Sequence, residues 1–142
     1  MPKIDWIIHY CANGNVCDKC NTVESSFLPN ICNAHTHGME KYNHMDFQIV
    51  LNFEPEEIMR ILNTLGLRVQ SGEQFQNGDL VSGIYEDCNV RLDEYEETDR
   101  KVLRVIIPDK YNIFPEDEQC MSVYRLQLLK TDCLYRESGC IS

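Results

Sequence analysis

Residues that could bind a metal are concentrated at the start of this sequence. All four histidines and four of the eight cysteines lie within residues 1–44. Cys17 and Cys20 form a Cys-x-x-Cys pair, and Cys32 and His35 repeat the two-residue gap twelve positions further on. Zinc prefers four thiolate or imidazole ligands in a tetrahedron. The spacing therefore predicts a zinc site made by these four residues.

Other ligand sets and other roles are open for the same residues. His37 or Cys11 could replace His35 as the fourth ligand. Cys17 and Cys20 could instead form a redox dithiol, although the βαβ context of a thioredoxin-like motif is absent. The cysteines could also be ordinary buried thiols beside loop histidines. We favour the metal, because this segment has few apolar residues to order it and metal binding supplies folding free energy.

A second arrangement of the histidines predicts catalysis. In a strand, His35 and His37 would project from one face, because side chains repeat every two residues. His44 and Asp46 are again two residues apart and begin the next predicted strand. Together with His35, the residues His37, His44 and Asp46 would hold a zinc or iron ion with one position open for water. This arrangement predicts a metal-dependent hydrolase.

Apolar periodicity beyond residue 44 predicts the elements that must position these residues. Residues 45–52 alternate between apolar and polar, which indicates a half-buried strand. A helix is predicted over 55–65, with Pro55 in its first turn and Gly66 as its end. Further strands are predicted at 4–10, at 80–92 as a hairpin or bent strand, at 101–107 and at 123–128. We expect an α+β fold: a mostly antiparallel sheet of about five strands with one main helix packed on it, plus the Cys/His-rich N-terminal segment.

The charge balance limits the partners of this protein. Thirteen lysines and arginines stand against 23 aspartates and glutamates, which gives a formal charge of -10. With no basic patch visible, direct nucleic-acid binding is not expected. An acidic surface is instead compatible with an interaction or inhibitor protein that binds a basic protein partner. No apolar run is long enough to span a membrane, so no membrane association is expected.

Length and the N-terminal residues predict organisation and compartment. A chain of 142 residues fits one domain, here residues 1–142, with the Cys/His-rich segment at 1–44, the sheet and helix at 45–130 and a tail at 131–142. The first residues lack the basic-then-apolar pattern of a signal peptide. We therefore expect a cytoplasmic protein with reduced thiols, including those of Cys120, Cys133 and Cys140.

Three groups of short stretches carry a family resemblance. They are His35–Gly38 with Asn43–Phe47, Ile58–Leu65 with Ser71, Gly72 and Phe75, and Val105–Asp109 with Phe114 and Pro115. Together, over about residues 17–129, they resemble an uncharacterised, mostly bacterial family, the DUF4262-like domains of unknown function. Its usual pattern has Gly-His-Pro-Glu where this chain has Asn43–Asp46, so His44 is the position carried over most directly, with Asp46 near it. The resemblance implies a compact α+β domain.

The sequence thus predicts a small zinc-binding protein that acts as a binding or regulatory module. A metal-dependent hydrolase and an acidic interaction protein are the two alternatives.

Overall fold

Six strands form one mixed sheet in the computed structural model, which describes residues 3–11, 30–97 and 100–134. In spatial order the sheet runs β1-β2-β3-β6-β5-β4, with β3 and β6 parallel and the other described neighbours antiparallel. The predicted α+β class is confirmed, but the sheet is mixed and has six strands. The strands are β1 (Ile7–Cys11), β2 (Ile31–His37), β3 (Asp46–Leu51), β4 (Leu80–Val81), β5 (Val90–Glu97) and β6 (Arg100–Ile106).

The described part of the Cys/His-rich segment belongs to this sheet. β1 pairs along its whole length with β2, and β2 pairs with β3. A short 3₁₀ turn at Met39–Tyr42 then connects β2 to β3. Backbone hydrogen bonds between strands therefore order residues 7–11 and 31–37. Cys17 and Cys20 lie outside the described residues.

The main helix, α1 (Pro55–Gln70), covers one face of the sheet. Its apolar stripe of Ile58, Ile61, Leu62 and Leu65 is buried against strand residues such as Phe47 and Leu103. The helix does not end at Gly66, as the sequence suggested, but continues for a further turn. Gly66 lies under the indole ring of Trp6, which also donates a hydrogen bond from Nε1 to Asn63 Oδ1 at 2.9 Å. Close packing, rather than helix termination, explains this glycine.

Replacing Gly66 by alanine is expected to destabilise the fold. A Cβ atom there would lie 2.5 Å from Cζ2 and 2.7 Å from Cε2 of Trp6, closer than carbon atoms can pack. Overpacking of this kind costs about 1–3 kcal/mol, which exceeds the gain of about 1 kcal/mol in helix propensity. Chemical denaturation should show a net loss of unfolding free energy for G66A. Met59→Ala, at an exposed helix position, serves as the control, and an equal or higher stability of G66A would show that the contact with Trp6 imposes no such constraint.

The C-terminal part of the described chain covers the opposite face of the sheet. It forms α2 (Ser122–Arg125) and two 3₁₀ turns at Leu126–Leu128 and Thr131–Leu134. The strand predicted at 123–128 is therefore wrong. Hydrogen bonds from the side-chain amide of Gln127 take the place of the backbone bonds of a neighbouring strand. Its Oε1 accepts from Ile107 N and its Nε2 donates to Ile107 O, both at 2.7 Å.

The acidic stretch around residue 97 is part of the sheet. β5 continues through Glu97, which pairs with Arg100 at the start of β6. Arg100 Nε donates to Glu97 Oε1 at 2.9 Å, and Glu97 is 3% exposed. The ion pair with Arg100 compensates part of the cost of burying this carboxylate. The predicted hairpin at 80–92 is reduced to the two-residue β4 and the first residues of β5.

One cysteine contradicts the expectation of reduced thiols. Cys133 is disulfide-bonded. Cys88 and Cys120 are free thiols, and both Cys32 and Cys120 are buried. Cys140 lies outside the described residues. No helix among the described residues has the length and apolar character needed to cross a membrane.

Candidate metal centre

Three histidines meet on the face of the sheet opposite α1. His9 in β1 is directly opposite His35 in β2, and His37 follows two residues later on the same strand face. The ring centroids of His9 and His37 are 4.3 Å apart, those of His35 and His37 are 4.7 Å apart, and those of His9 and His35 are 5.5 Å apart. One ring nitrogen from each residue lies within 4.8 Å of the others. We call these residues the histidine triad.

The ring nitrogens of the triad are slightly further apart than the ligand nitrogens of a three-imidazole metal site. Tetrahedral zinc with zinc–nitrogen bonds of about 2.0–2.1 Å brings its ligand nitrogens to roughly 3.4 Å from one another. Rotation of the imidazole rings about their side-chain torsions supplies the remaining approach. His35 is fully buried, whereas His9 and His37 are half-buried. The site is thus buried at His35 and partly exposed to solvent at His9 and His37.

A chain of buried hydrogen bonds fixes the orientation of His35. Arginine only donates, so the bond of 2.7 Å from Arg104 Nε turns Oε1 of Gln48 towards it. The Nε2 of Gln48 then donates to Asn33 Oδ1 at 3.0 Å. The same Oδ1 lies 3.1 Å from His35 Nδ1, which therefore carries the proton. This tautomer leaves the lone pair of His35 on Nε2, the nitrogen that a metal would use.

Two carboxylates and one arginine surround the triad. Glu97 Oε2 lies 3.9 Å from Nδ1 of His35, and its other oxygen accepts from Arg100. Arg100 also donates from Nη1 to Asp46 Oδ2 and from Nη2 to the carbonyl of Thr36. The two carboxylates are almost fully buried and share this single guanidinium. These three side chains together carry a charge of -1, and Arg104 adds a positive charge at the far end of the hydrogen-bond chain to His35.

The imidazoles of His35 and His37 are held in the neutral form that binds metals. Burial lowers the pKa of His35 to about 3, and the nearby His37, Arg100 and His9 act in the same direction. Burial also lowers the pKa of His37, with Arg100 and His9 adding to the effect. A deprotonated imidazole nitrogen is what a divalent metal needs as a ligand.

One atom of the triad lacks any compensation for its burial. Nε2 of His37 is buried and has no hydrogen-bond partner among the described residues. Leaving a buried polar atom without a partner costs about 1–3 kcal/mol. A metal ion coordinated by this nitrogen would remove that cost, so the residues fit a metal on an observation independent of their spacing.

Two of the four predicted thiolate-site ligands, Cys32 and His35, lie on opposite faces of the sheet. Cys32 Sγ lies on the α1 side of the sheet, where it contacts the carbonyl oxygens of Ile49 at 3.8 Å and Leu51 at 3.5 Å. His35 projects from the other face, so these two residues do not meet. Cys17 and Cys20 lie outside the described residues, and their role as zinc ligands stays a prediction.

The residues predicted to complete a catalytic site are brought together only in part. His35 and His37 share a face, as the strand pattern predicted. His44 does not join them, because its Nε2 accepts from Phe75 N at 2.9 Å and its Nδ1 contacts Met45 O at 2.8 Å. Its ring packs against Phe47 in the core beneath α1.

Asp46 is not part of the triad, and its hydrogen bonds connect the elements around it. Its Oδ1 accepts from Thr36 Oγ1 at 2.8 Å and from Met39 N at 3.0 Å, and its Oδ2 accepts from Arg100. This carboxylate ties the end of β2 and the following turn to β6. Its negative charge also acts on His37, whose pKa it raises against the stronger lowering effects of burial, Arg100 and His9.

His9 is the site residue that sequence reasoning missed. It lies in the strand predicted at 4–10, so its strand context was available. Its partner strand was not, because the pairing of His9 with His35 depends on the register between β1 and β2. A rule that pairs histidines on consecutive predicted strands would have found it.

Comparison with known proteins adds no assignment. No family model matches the chain, and no match is found among curated proteins or solved structures. The resemblance to domains of unknown function stays a prediction, and the site geometry carries the functional argument.

Proposed function

We propose that the histidine triad binds a divalent zinc ion and that the protein is a small metal-binding protein. The observation that carries the proposal is the convergence of three imidazoles, with one ring nitrogen from each lying within 4.8 Å of the others. The buried Nε2 of His37, which has no hydrogen-bond partner among the described residues, adds to it.

Zinc is the metal that fits this ligand set best. Imidazole is a borderline-soft ligand that suits zinc, copper, nickel and iron, whereas magnesium and calcium prefer oxygen ligands. Zinc has no geometric preference from its d-electrons, so it tolerates three ligands set by the register of two strands. Three protein ligands leave a fourth position for water or for a ligand from outside the triad.

The metal content of protein purified without a polyhistidine tag tests the proposal. We expect one zinc ion per chain, and we expect cobalt to replace it with the visible spectrum of a nitrogen–oxygen site. A strong thiolate-to-cobalt charge-transfer band that disappears in Cys17→Ser/Cys20→Ser would instead establish the thiolate site. Protein that takes up no metal under competition conditions would contradict both sites.

Asn33 offers a matched pair of variants that test the orientation of His35. Asn33→Leu removes the acceptor for His35 Nδ1 and for Gln48 Nε2, so zinc affinity is expected to fall about 10–100-fold, the usual effect of losing such a partner. Asn33→Asp keeps the acceptor and should keep the affinity. Competition against a chromophoric chelator measures both constants. Equal affinities for N33L and the unchanged protein would show that Asn33 does not position the ligand.

A hydrolase is the second candidate, and the half-exposed sides of His9 and His37 favour it. Three-histidine zinc sites with an open position bind a water whose pKa falls to about 7. The zinc-loaded protein should then cleave simple activated esters or phosphoesters, and His37→Gln should remove that activity together with the zinc. A loaded protein that cleaves none of them would restrict the site to binding.

A further inference from the structure

A cleft of about 360 Å³ opens where β3 and β6 end. These strands lie side by side and run parallel. After β3 the chain enters α1 on one face, and after β6 it continues to α2 and the turns on the opposite face. Crevices at the carboxyl ends of parallel strands whose connections diverge are where α/β sheets bind ligands. We call this the β3–β6 cleft, and it contains no residue of the histidine triad.

Aromatic rings form the walls of the β3–β6 cleft. Phe53, Tyr85 and Tyr124 are each half-buried and line it, while Ile107 and Pro108 are buried beside them. The volume lies at the small end of the range for small-molecule sites, about 300–1,000 Å³. Partly exposed rings around an opening of this size suit an organic ligand of a few carbon atoms.

The charged side chains of the β3–β6 cleft determine whether it favours a cationic or an anionic ligand. Glu57 is engaged by Arg60, and Asp109 accepts from the backbone nitrogens of Ile113 and Met121. The two remaining carboxylates, Glu54 and Asp87, are exposed and make no ion pair with any described residue.

Neither Lys110 nor the N-terminus of α1 reverses the preference of the cleft for a cationic ligand. The ammonium group of Lys110 lies over the ring of Tyr111, 5.3 Å from its centroid. The N-terminus of α1 would attract an anion by its dipole, but Glu54, Glu56 and Glu57 all stand there and oppose one. The overall charge of -10 adds to the attraction for cations.

We propose that the β3–β6 cleft binds a small organic cation. Its ammonium or guanidinium group lies between Glu54 and Asp87, and its carbon skeleton packs on Phe53, Tyr85 and Tyr124. A cation held against aromatic faces gains cation–π attraction in addition to the ion pairs. Arg60 lies over Tyr85, with its guanidinium carbon 5.3 Å from the ring centroid, and its charge is paired with that of Glu57.

Titration of the full chain with phenethylamine, followed by nuclear magnetic resonance, tests the proposal. We expect saturable shifts at Phe53, Tyr85 and Tyr124, binding that weakens with salt, and no saturation by the anionic analogue 3-phenylpropanoate. Glu54→Gln and Asp87→Asn should each weaken phenethylamine binding by about tenfold, the value of a lost hydrogen bond to a charged group.

Glu56→Gln is the matched control, because it removes the same charge from the same helical turn but does not line the cleft. It should leave the dissociation constant nearly unchanged. The proposal is overturned if phenethylamine produces no saturable shifts at the three rings, if 3-phenylpropanoate binds as tightly, or if the control variant weakens binding as much as the cleft variants. The triad variants should not alter this titration, so failure here is distinguishable from failure of the zinc site.

Discussion

His37→Gln is expected to abolish tight zinc binding, with a loss of affinity of more than about 100-fold. Removing a residue that only orients a ligand costs 10–100-fold, so removing one of three ligands must cost more. Nε2 of His37 has no hydrogen-bond partner among the described residues, so the metal-free variant should unfold at the same temperature as the metal-free parent. The rise in melting temperature caused by zinc should disappear, because a ligand that binds only the folded state stabilises it.

His44→Gln is the control for this experiment. His44 lies outside the triad and bonds to Phe75, so its replacement should lower the melting temperature and leave zinc affinity unchanged. The two variants thus separate binding from folding. Tight zinc binding by H37Q, or its loss in H44Q with the fold intact, would show that the triad is not the metal site. For each variant, chelator competition gives the zinc affinity, and thermal unfolding with and without zinc gives the melting temperatures.

Arg104→Met is expected to cost more than about 3 kcal/mol of unfolding free energy, because several buried hydrogen bonds are lost at once. Arg104 is fully buried and donates to the carbonyls of Gln127 and Leu129, to Gln48 Oε1 and to Thr131 Oγ1. Its guanidinium carbon lies 3.6 Å from the ring centroid of Tyr95. Burial lowers the pKa of Arg104 to about 10, which still leaves it charged at neutral pH. Methionine fills the space but leaves several buried acceptors without a donor, each costing about 1–3 kcal/mol.

Two further arginine variants make this prediction specific. Arg104→Lys keeps a charge but loses the planar stack on Tyr95 and some of the bonds, so its stability should lie between those of the parent and R104M. Arg125→Met removes an exposed arginine with one bond of 3.3 Å to Pro115 O and should change little. Urea denaturation measures all three. A loss below about 1 kcal/mol for R104M would show that this arginine does not hold the C-terminal segment on the sheet.

Zinc affinity should fall in R104M as well. The orientation of the Gln48 amide depends on Arg104 Nε, and through Asn33 it sets the tautomer of His35. The stability of the C-terminal segment and the order of the metal site are therefore connected by one row of side chains.

Local patterns in the sequence predicted the parts of the fold that depend on neighbours along the chain. The alternation over 45–52 became β3, the stripe from Ile58 to Leu65 became the buried face of α1, and His35 and His37 share one face because strands repeat every two residues.

Features that depend on distant residues could not be predicted in this way. Gly66 has the appearance of a helix stop until Trp6 is known to pack on it. The alternation around Gln127 has the period of a strand, but a side-chain amide bonds to Ile107 and Arg104 takes the backbone carbonyl. Long-range contacts determine both positions, and local propensity does not.

The candidate metal site shows the same difference between local and long-range features. Cys32 and His35 have ligand spacing, but three residues along a strand place their side chains on opposite faces. His9 completes the triad only through the register of β1 on β2. Spacing along the chain therefore could not bring His9 and His35 together, because that contact depends on the register between two strands.

X-ray absorption at the zinc edge, on tag-free protein loaded with one equivalent of zinc, tests the central proposal most directly. The triad predicts a first shell of nitrogen and oxygen at about 2.0–2.1 Å, with the outer-shell scattering of three imidazoles and no sulfur. Sulfur scatterers at about 2.3 Å would contradict it and assign the ion to thiolates.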